Sequence, residues 1–240
     1  MKSIARQQIR PEPSESHPAD QRKKVLAAAL AGGLIGALAV RFTRHPQANS
    51  DWPQVVSILG WVLFAIYWSI TASSAPAKIS ESRGSRRIHE LLVNCGYLLL
   101  FLPSALPLAI PFVQSRFLPP SPLWVALGLA VQAGSFGLAV WARRTLGRNW
   151  SAPIEIKLDH QLVRTGPYRL LRHPIYTAVL GMAAGTVLTI GKVPGLFAIA
   201  IIVFAYIRKI RLEEARLREA FGAEYDEYRR TAWGLVPGLF

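Results

Sequence analysis

Six apolar runs, separated by short polar segments, decide what this chain can fold into. They cover residues 25–40, 55–72, 91–113, 123–142, 175–190 and 193–207. An α-helix rises about 1.5 Å per residue and a bilayer's hydrocarbon core is about 30 Å thick, so runs of this size read as transmembrane helices, with 25–40 slightly short. The expected fold is all-α: a polytopic membrane helical bundle of six predicted spans, followed by a cytoplasmic C-terminal amphipathic helix. The basic start of the first run and its Ala37-Leu38-Ala39 triplet also allow a cleaved signal peptide, which would leave five spans.

Charge supports this layout. The chain has a formal net charge of +14, which in a soluble protein would suggest nucleic acid, but 51% of its residues are hydrophobic and the apolar runs favour a membrane. Of 28 lysines and arginines, 24 fall in segments 1–24, 73–90, 143–174 and 208–240. These are alternate connections, as the positive-inside rule requires of six spans with both ends in the cytoplasm. The expected domains are a flexible basic tail (1–24), transmembrane helices 1–4 (25–142), and a C-terminal unit (143–240) with a helical hairpin over 175–207. Pro103, Pro107 and Pro111 should kink the third run or end it early. Gly32 with Gly36, and Gly181 with Gly185, suit close helix packing.

The chemistry is concentrated in Gly166-Pro167-Tyr168-Arg169-Leu170-Leu171-Arg172-His173-Pro174-Ile175-Tyr176. Pro167 and Pro174 fix φ and bias the preceding residues away from helix, so His173 and Tyr176 should stand where a membrane helix begins. A plain interfacial anchor explains tyrosine and arginine at that depth equally well. Further on, Val203, Ile210, Leu217 and Phe221 mark one face of a helix, with Glu213 and Glu214 straddling the stripe. Helical spacing offers Glu214 a partner in Arg218, and offers Glu213 both Arg216 and Lys209. The other reading is a carboxylate kept for a ligand.

Several classes are excluded. Cys95 is the only cysteine, and His17, His45, His89, His160 and His173 are scattered, so neither a disulfide framework nor a metal site is expected. No Gly-x-Gly-x-x-Gly follows a strand, and there is no Walker loop or serine nucleophile elbow.

Taken together, three blocks resemble the isoprenylcysteine carboxyl methyltransferase family, which is related to phospholipid methyltransferases. They are His160-Gln161-Leu162-Val163-Arg164-Thr165-Gly166-Pro167-Tyr168, then Arg172-His173-Pro174-Ile175-Tyr176, then Glu213-Glu214-Ala215-Arg216-Leu217 with Phe221-Gly222-Ala223-Glu224-Tyr225-Asp226-Glu227-Tyr228. The resemblance covers about residues 145–238. It implies a membrane-embedded enzyme that uses S-adenosylmethionine to methylate a lipophilic or lipid substrate entering from the bilayer, with carboxyl O-methylation of an isoprenylcysteine-like molecule as the family's reaction. By position, the resemblance places the cofactor against His160, Leu162, Val163, Tyr168, His173, Pro174, Ile175, Tyr176 and Glu213. Lys209 stands where the family has a substrate-orienting arginine, with Arg208 beside it, and these two are the catalytic candidates. Lysine supplies a point charge without the bidentate fork of arginine. The alternatives are a phospholipid amine or thiol methyltransferase, a membrane reductase whose NADPH phosphate would meet Arg164, Arg169 and Arg172, and a non-enzymatic scaffold.

Overall fold

A computed structural model of the chain describes residues 52–71, 77–80, 82–105, 110–147, 155–157 and 162–238. Its elements are α1 (Trp52–Thr71), β1 (Ala77–Ser80), α2 (Arg83–Ala105), α3 (Pro111–Gln114), α4 (Pro122–Leu146), β2 (Glu155–Lys157), a 3-10 turn (Gly166–Arg169), α5 (Pro174–Ile190), α6 (Val193–Phe221) and α7 (Ala223–Thr231). Among the described residues the fold is all-α apart from one small antiparallel pair, in which Ala77 faces Lys157 and Ser80 faces Glu155.

The expectation of six spans, or five, is corrected. Among the described residues three helices are long and apolar enough to cross a membrane: α1, α4 and α6. The first apolar run, 25–40, lies outside the described residues. Helix α2 covers the third run but begins with Arg83, Arg86, Arg87 and Glu90, which leaves only its later turns apolar. It ends at Ala105, between Pro103 and Pro107. Helix α5 has 17 residues, about 25 Å at the usual rise. Its surroundings explain why so short a helix is so apolar. Ala178, Met182, Ala183 and Thr186 are buried among neighbouring helices, and only the face of Tyr176, Leu180, Ala184 and Leu188 is half-buried, so α5 is a core element. The outer face of α1 shows the opposite pattern. Val56, Leu59, Leu63, Ile66 and Ile70 recur at helical spacing and are all exposed, an apolar stripe suited to lipid.

Helices α4 and α5 cross where two glycines meet. A Cβ on Gly128 would come within 2.5 Å of the Gly185 carbonyl oxygen, and one on Gly185 equally close to that of Gly128. The glycines let the backbones touch, as small residues do in membrane bundles. Beside this crossing lies a neutral polar cluster. Trp61 Nε1 donates to Thr186 Oγ1 at 2.9 Å, Ser57 and Thr186 share a hydrogen bond of 3.0 Å, and Gln132 Nε2 donates to the Ser57 carbonyl at 2.8 Å.

At Gly191 the chain turns from α5 into α6 through a left-handed conformation, φ +66°. Backbone hydrogen bonds tie this turn to Ser115, Phe117 and Leu118. Helix α6 then runs unbroken for 29 residues, about 43 Å. That exceeds a hydrocarbon core, so its second half projects beyond the apolar layer and carries Glu213 and Glu214 with it.

Candidate functional site

The site is assembled around the start of α5. Thr165 is extended, and Gly166 takes φ +58° to enter the 3-10 turn. A Cβ at Gly166 would press on Thr145 Oγ1 at 2.9 Å, so this position favours glycine twice over. His173 is the N-cap of α5 and Pro174 its first residue, where a missing N–H is no loss.

What fixes this turn comes from much later in the chain. The amides of Arg172 and His173 donate to the carbonyls of Trp233 and Gly234 at 2.7 and 3.1 Å, and the Trp233 amide donates to Leu170 at 2.9 Å. Thr177 Oγ1 donates to the Leu235 carbonyl at 2.7 Å, and Tyr228 Oη donates to the Tyr168 carbonyl at 2.6 Å. Residues 232–235 thus form a strap along the turn, and α7 braces it. No periodicity in the sequence signals this strap.

Above the turn lies the second half of α6. Tyr176 Oη donates to Glu213 Oε2 at 2.8 Å. The His173 ring stacks on Tyr176, with centroids 5.5 Å apart and planes within 6°. His173 Nδ1 is 3.7 Å from Glu213 Oε2, and His173 Nε2 is 3.2 Å from Glu214 Oε1. Arg172 Nε donates to Glu214 Oε1 at 2.8 Å, and Arg229 Nε lies 3.3 Å from Glu214 Oε2. The two acids are therefore unequal. The Glu214 side chain is 13% exposed and enclosed by cations, whereas that of Glu213 is 30% exposed.

Two of the charge partners suggested by helical spacing, Arg218 and Arg216, are corrected. Arg218 pairs with Asp226 at 2.8 Å and Arg216 with Glu219 at 2.9 Å, so Glu214 takes its cations from the turn and from α7. Local spacing cannot reveal partners more than ten residues away in sequence. Arg229 is the member of this cluster with no signal in the sequence; Arg172 and Glu214 sit inside the quoted blocks, but nothing in the pattern pairs them with each other.

All the predicted residues except His160 lie among the described residues. His173, Tyr176 and Glu213 share one cluster, roofed by Lys209, whose Nζ is 5.6 Å from the centre of the Tyr176 ring. Tyr206 packs against Tyr176 with ring centroids 5.0 Å apart. Arg208 turns away and donates to Ser85, to its carbonyl at 3.2 Å and its Oγ at 3.0 Å, tying α6 to α2. Tyr168, Val163 and Ile175 lie in an apolar cluster with Ala142. Leu162 packs against Tyr225, Tyr228 and Ala232. Pro174 is fully buried. His160 lies outside the described residues.

Burial, and then the neighbouring Glu213 carboxylate, push the Tyr168 hydroxyl well above its ordinary range. Burial and the nearby Glu214 carboxylate do the same to Tyr225. Both phenols stay neutral donors at any physiological pH. Tyr225 is fully buried, and its hydroxyl has no hydrogen-bond partner among the described residues, an uncommon state for such a group.

Fold and site together define a multi-pass membrane protein with a charged, aromatic-lined cluster where its bundle gives way to polar chain. Residues 123–224 match the family model described as phospholipid methyltransferase. The chain is also similar to protein-S-isoprenylcysteine O-methyltransferase A of Arabidopsis thaliana, 34% identical over 96 residues, which is 39% of this chain and 49% of that protein. It is 35% identical over 104 residues to protein-S-isoprenylcysteine O-methyltransferase of Saccharomyces cerevisiae, covering 40% of this chain and 41% of the yeast protein. Over 123 residues it is 34% identical to the cobalt-zinc-cadmium resistance protein CzcN of Cupriavidus metallidurans, covering 48% of this chain and 52% of that one. The chain spans about half the length, or less, of the curated relatives it matches. It is a membrane-helical protein related to the isoprenylcysteine and phospholipid methyltransferases.

Proposed function

We propose that the chain is a membrane-embedded methyltransferase that binds S-adenosylmethionine at the His173–Tyr176–Glu213 cluster and methylates a lipophilic acceptor drawn from the bilayer. The observation that carries this reading is the convergence of His173, Tyr176 and Glu213 within hydrogen-bond or near-contact distance, from two helices and a proline turn.

The donor set fits the cofactor. Glu213 is a partly exposed acceptor for a hydroxyl or amine, and its negative charge favours a cationic sulfonium nearby. Among the described residues the buried Tyr225 hydroxyl has no hydrogen-bond partner, so it can donate to a ligand. In this reading Glu213, His173 and Tyr176 hold the polar groups, Tyr168, Pro174 and Ile175 shape the floor, and Leu162 and Val163 line the apolar side. His160 completes that border. Bound there, S-adenosylmethionine supplies an activated methyl group, and positioning with exclusion of water carries much of the acceleration. Lys209 draws in the anionic end of an acceptor, while Arg208 holds α2 as the neighbouring wall. A carboxylate acceptor needs no general base. An amine or thiol must lose a proton, for which His173 or His160 is the acceptor.

The relatives' names favour a carboxylate on an isoprenylcysteine-like molecule as the methyl acceptor. The family model that spans 123–224 favours a phospholipid amine. The reductase alternative draws less support, because Arg172 is engaged by Glu214 and Arg164 by Glu224 at 3.0 Å. Thermal unfolding of detergent-purified protein with S-adenosylmethionine or NADPH separates these ideas, since only a bound ligand raises the midpoint. A panel of prenylcysteines, lipid amines and lipid thiols then identifies the acceptor. No stabilisation by S-adenosylmethionine, together with a Glu213→Ala variant indistinguishable from wild type in methyl transfer, would overturn the proposal.

A further inference from the structure

Glu213 and Glu214 are adjacent on α6, yet they meet the His173 ring at different nitrogens. Glu214 Oε1 lies 3.2 Å from Nε2, within hydrogen-bond distance. Glu213 Oε2 lies 3.7 Å from Nδ1, beyond it. A carboxylate can only accept, so the nitrogen bonded to Glu214 must carry the proton. In a neutral ring that leaves the lone pair on Nδ1, facing Glu213. Glu214 is held in place by Arg172 and Arg229. Against its burial, hydrogen bonds from the His173 ring and from Arg172 hold the Glu214 carboxyl below the usual carboxylate range, so it stays anionic. Stacking on Tyr176 fixes the ring plane, so the ring is constrained in both orientation and proton position.

We infer that Glu214 is a positioning residue that locks His173 as its Nε2–H tautomer and so presents an Nδ1 lone pair beside the Glu213 carboxylate. The two make one acceptor pair, suited to a ligand that offers an amine or a pair of hydroxyls. The arrangement repeats a device of metal and protease sites, in which a carboxylate on one ring nitrogen sets what the other can do. This inference rests on the cofactor reading for the identity of the ligand, but not for the state of the ring.

The test is ¹⁵N NMR of histidine-labelled protein in detergent, with the His173 signals assigned by their loss in His173→Gln. The wild type is expected to show a neutral ring protonated on Nε2. Glu214→Ala is expected to lose that pattern and to raise the Kd for S-adenosylmethionine at least tenfold. Glu214→Gln keeps a carbonyl acceptor for Nε2–H and is expected to restore the pattern and bring the Kd within about threefold of wild type. A wild-type ring protonated on Nδ1, or on both nitrogens, overturns the inference whether or not any variant folds. So does a Glu214→Ala ring with an unchanged spectrum. If the ring behaves as expected but wild-type protein binds no S-adenosylmethionine, the positioning role stands and the cofactor reading fails.

Discussion

Ser57, Trp61, Gln132 and Thr186 join α1, α4 and α5 with neutral groups, whereas Arg172, His173, Glu213, Glu214 and Arg229 join α5, α6 and α7 with charged ones. The first cluster is buried, and its hydrogen bonds close on one another. Such a network specifies how helices pack. The second lies where the bundle meets polar chain. Most of its charge is consumed internally by Glu214, yet Glu213 stays partly exposed with Lys209 above it and a tyrosine beneath. Both are polar clusters in an apolar protein, but only one keeps spare capacity for recognition.

This contrast can be broken at several points. The largest effect is expected at the glycine crossing beside the neutral cluster. In Gly128→Leu the new Cβ meets the Gly185 carbonyl and the Thr189 amide at 2.5 and 2.7 Å, backbone atoms that cannot step aside. The expected loss is about 3 kcal/mol of stability, read as a lowered unfolding midpoint in detergent. Glu213→Ala should do the reverse: a fall of about 30-fold in S-adenosylmethionine affinity, about 2 kcal/mol, with an unfolding midpoint near wild type. Isothermal titration beside a melting curve checks both halves. Thr186→Val, nearly isosteric, removes the acceptor for Trp61 and the partner of Ser57. Its expected loss is about 1 kcal/mol of stability, with methyl transfer per folded molecule unchanged. Arg208→Ala frees α2 from α6 at Ser85 and is expected to lose only about 0.5 kcal/mol, the scale of a partly exposed contact. A loss of ligand affinity in Thr186→Val, or an intact affinity in Glu213→Ala, would erase the distinction between the two clusters.

Much of the bundle was legible because apolar runs and helix breakers are local signals. Pro122, Pro174 and Pro194 each stand at the first turn of a helix, and Gly191 closes α5. The number of crossings was not legible, because hydropathy alone cannot tell a helix that faces lipid from one that faces other helices. Helix α5 shows why: it is apolar throughout, but it is short and buried within protein. Sequence pattern also brought His173 and Glu213 into one hypothesis, since both lie in blocks of matching order. It could not assign partners to Glu214, because the choice among Arg172, Arg218 and Arg229 is made by tertiary structure.

The strap at residues 232–235 has a consequence for biosynthesis. Thr177 finds its acceptor, the Leu235 carbonyl, 58 residues later in the chain. When α5 emerges from the ribosome, the turn that precedes it can rest on α4, but the strap that ties it has not yet been made. The hairpin must be threaded into the bilayer, and α7 translated, before His173 is fastened. The cluster is therefore completed late: a chain halted after α6 would carry His173, Glu213 and Glu214 but lack both the strap and Arg229.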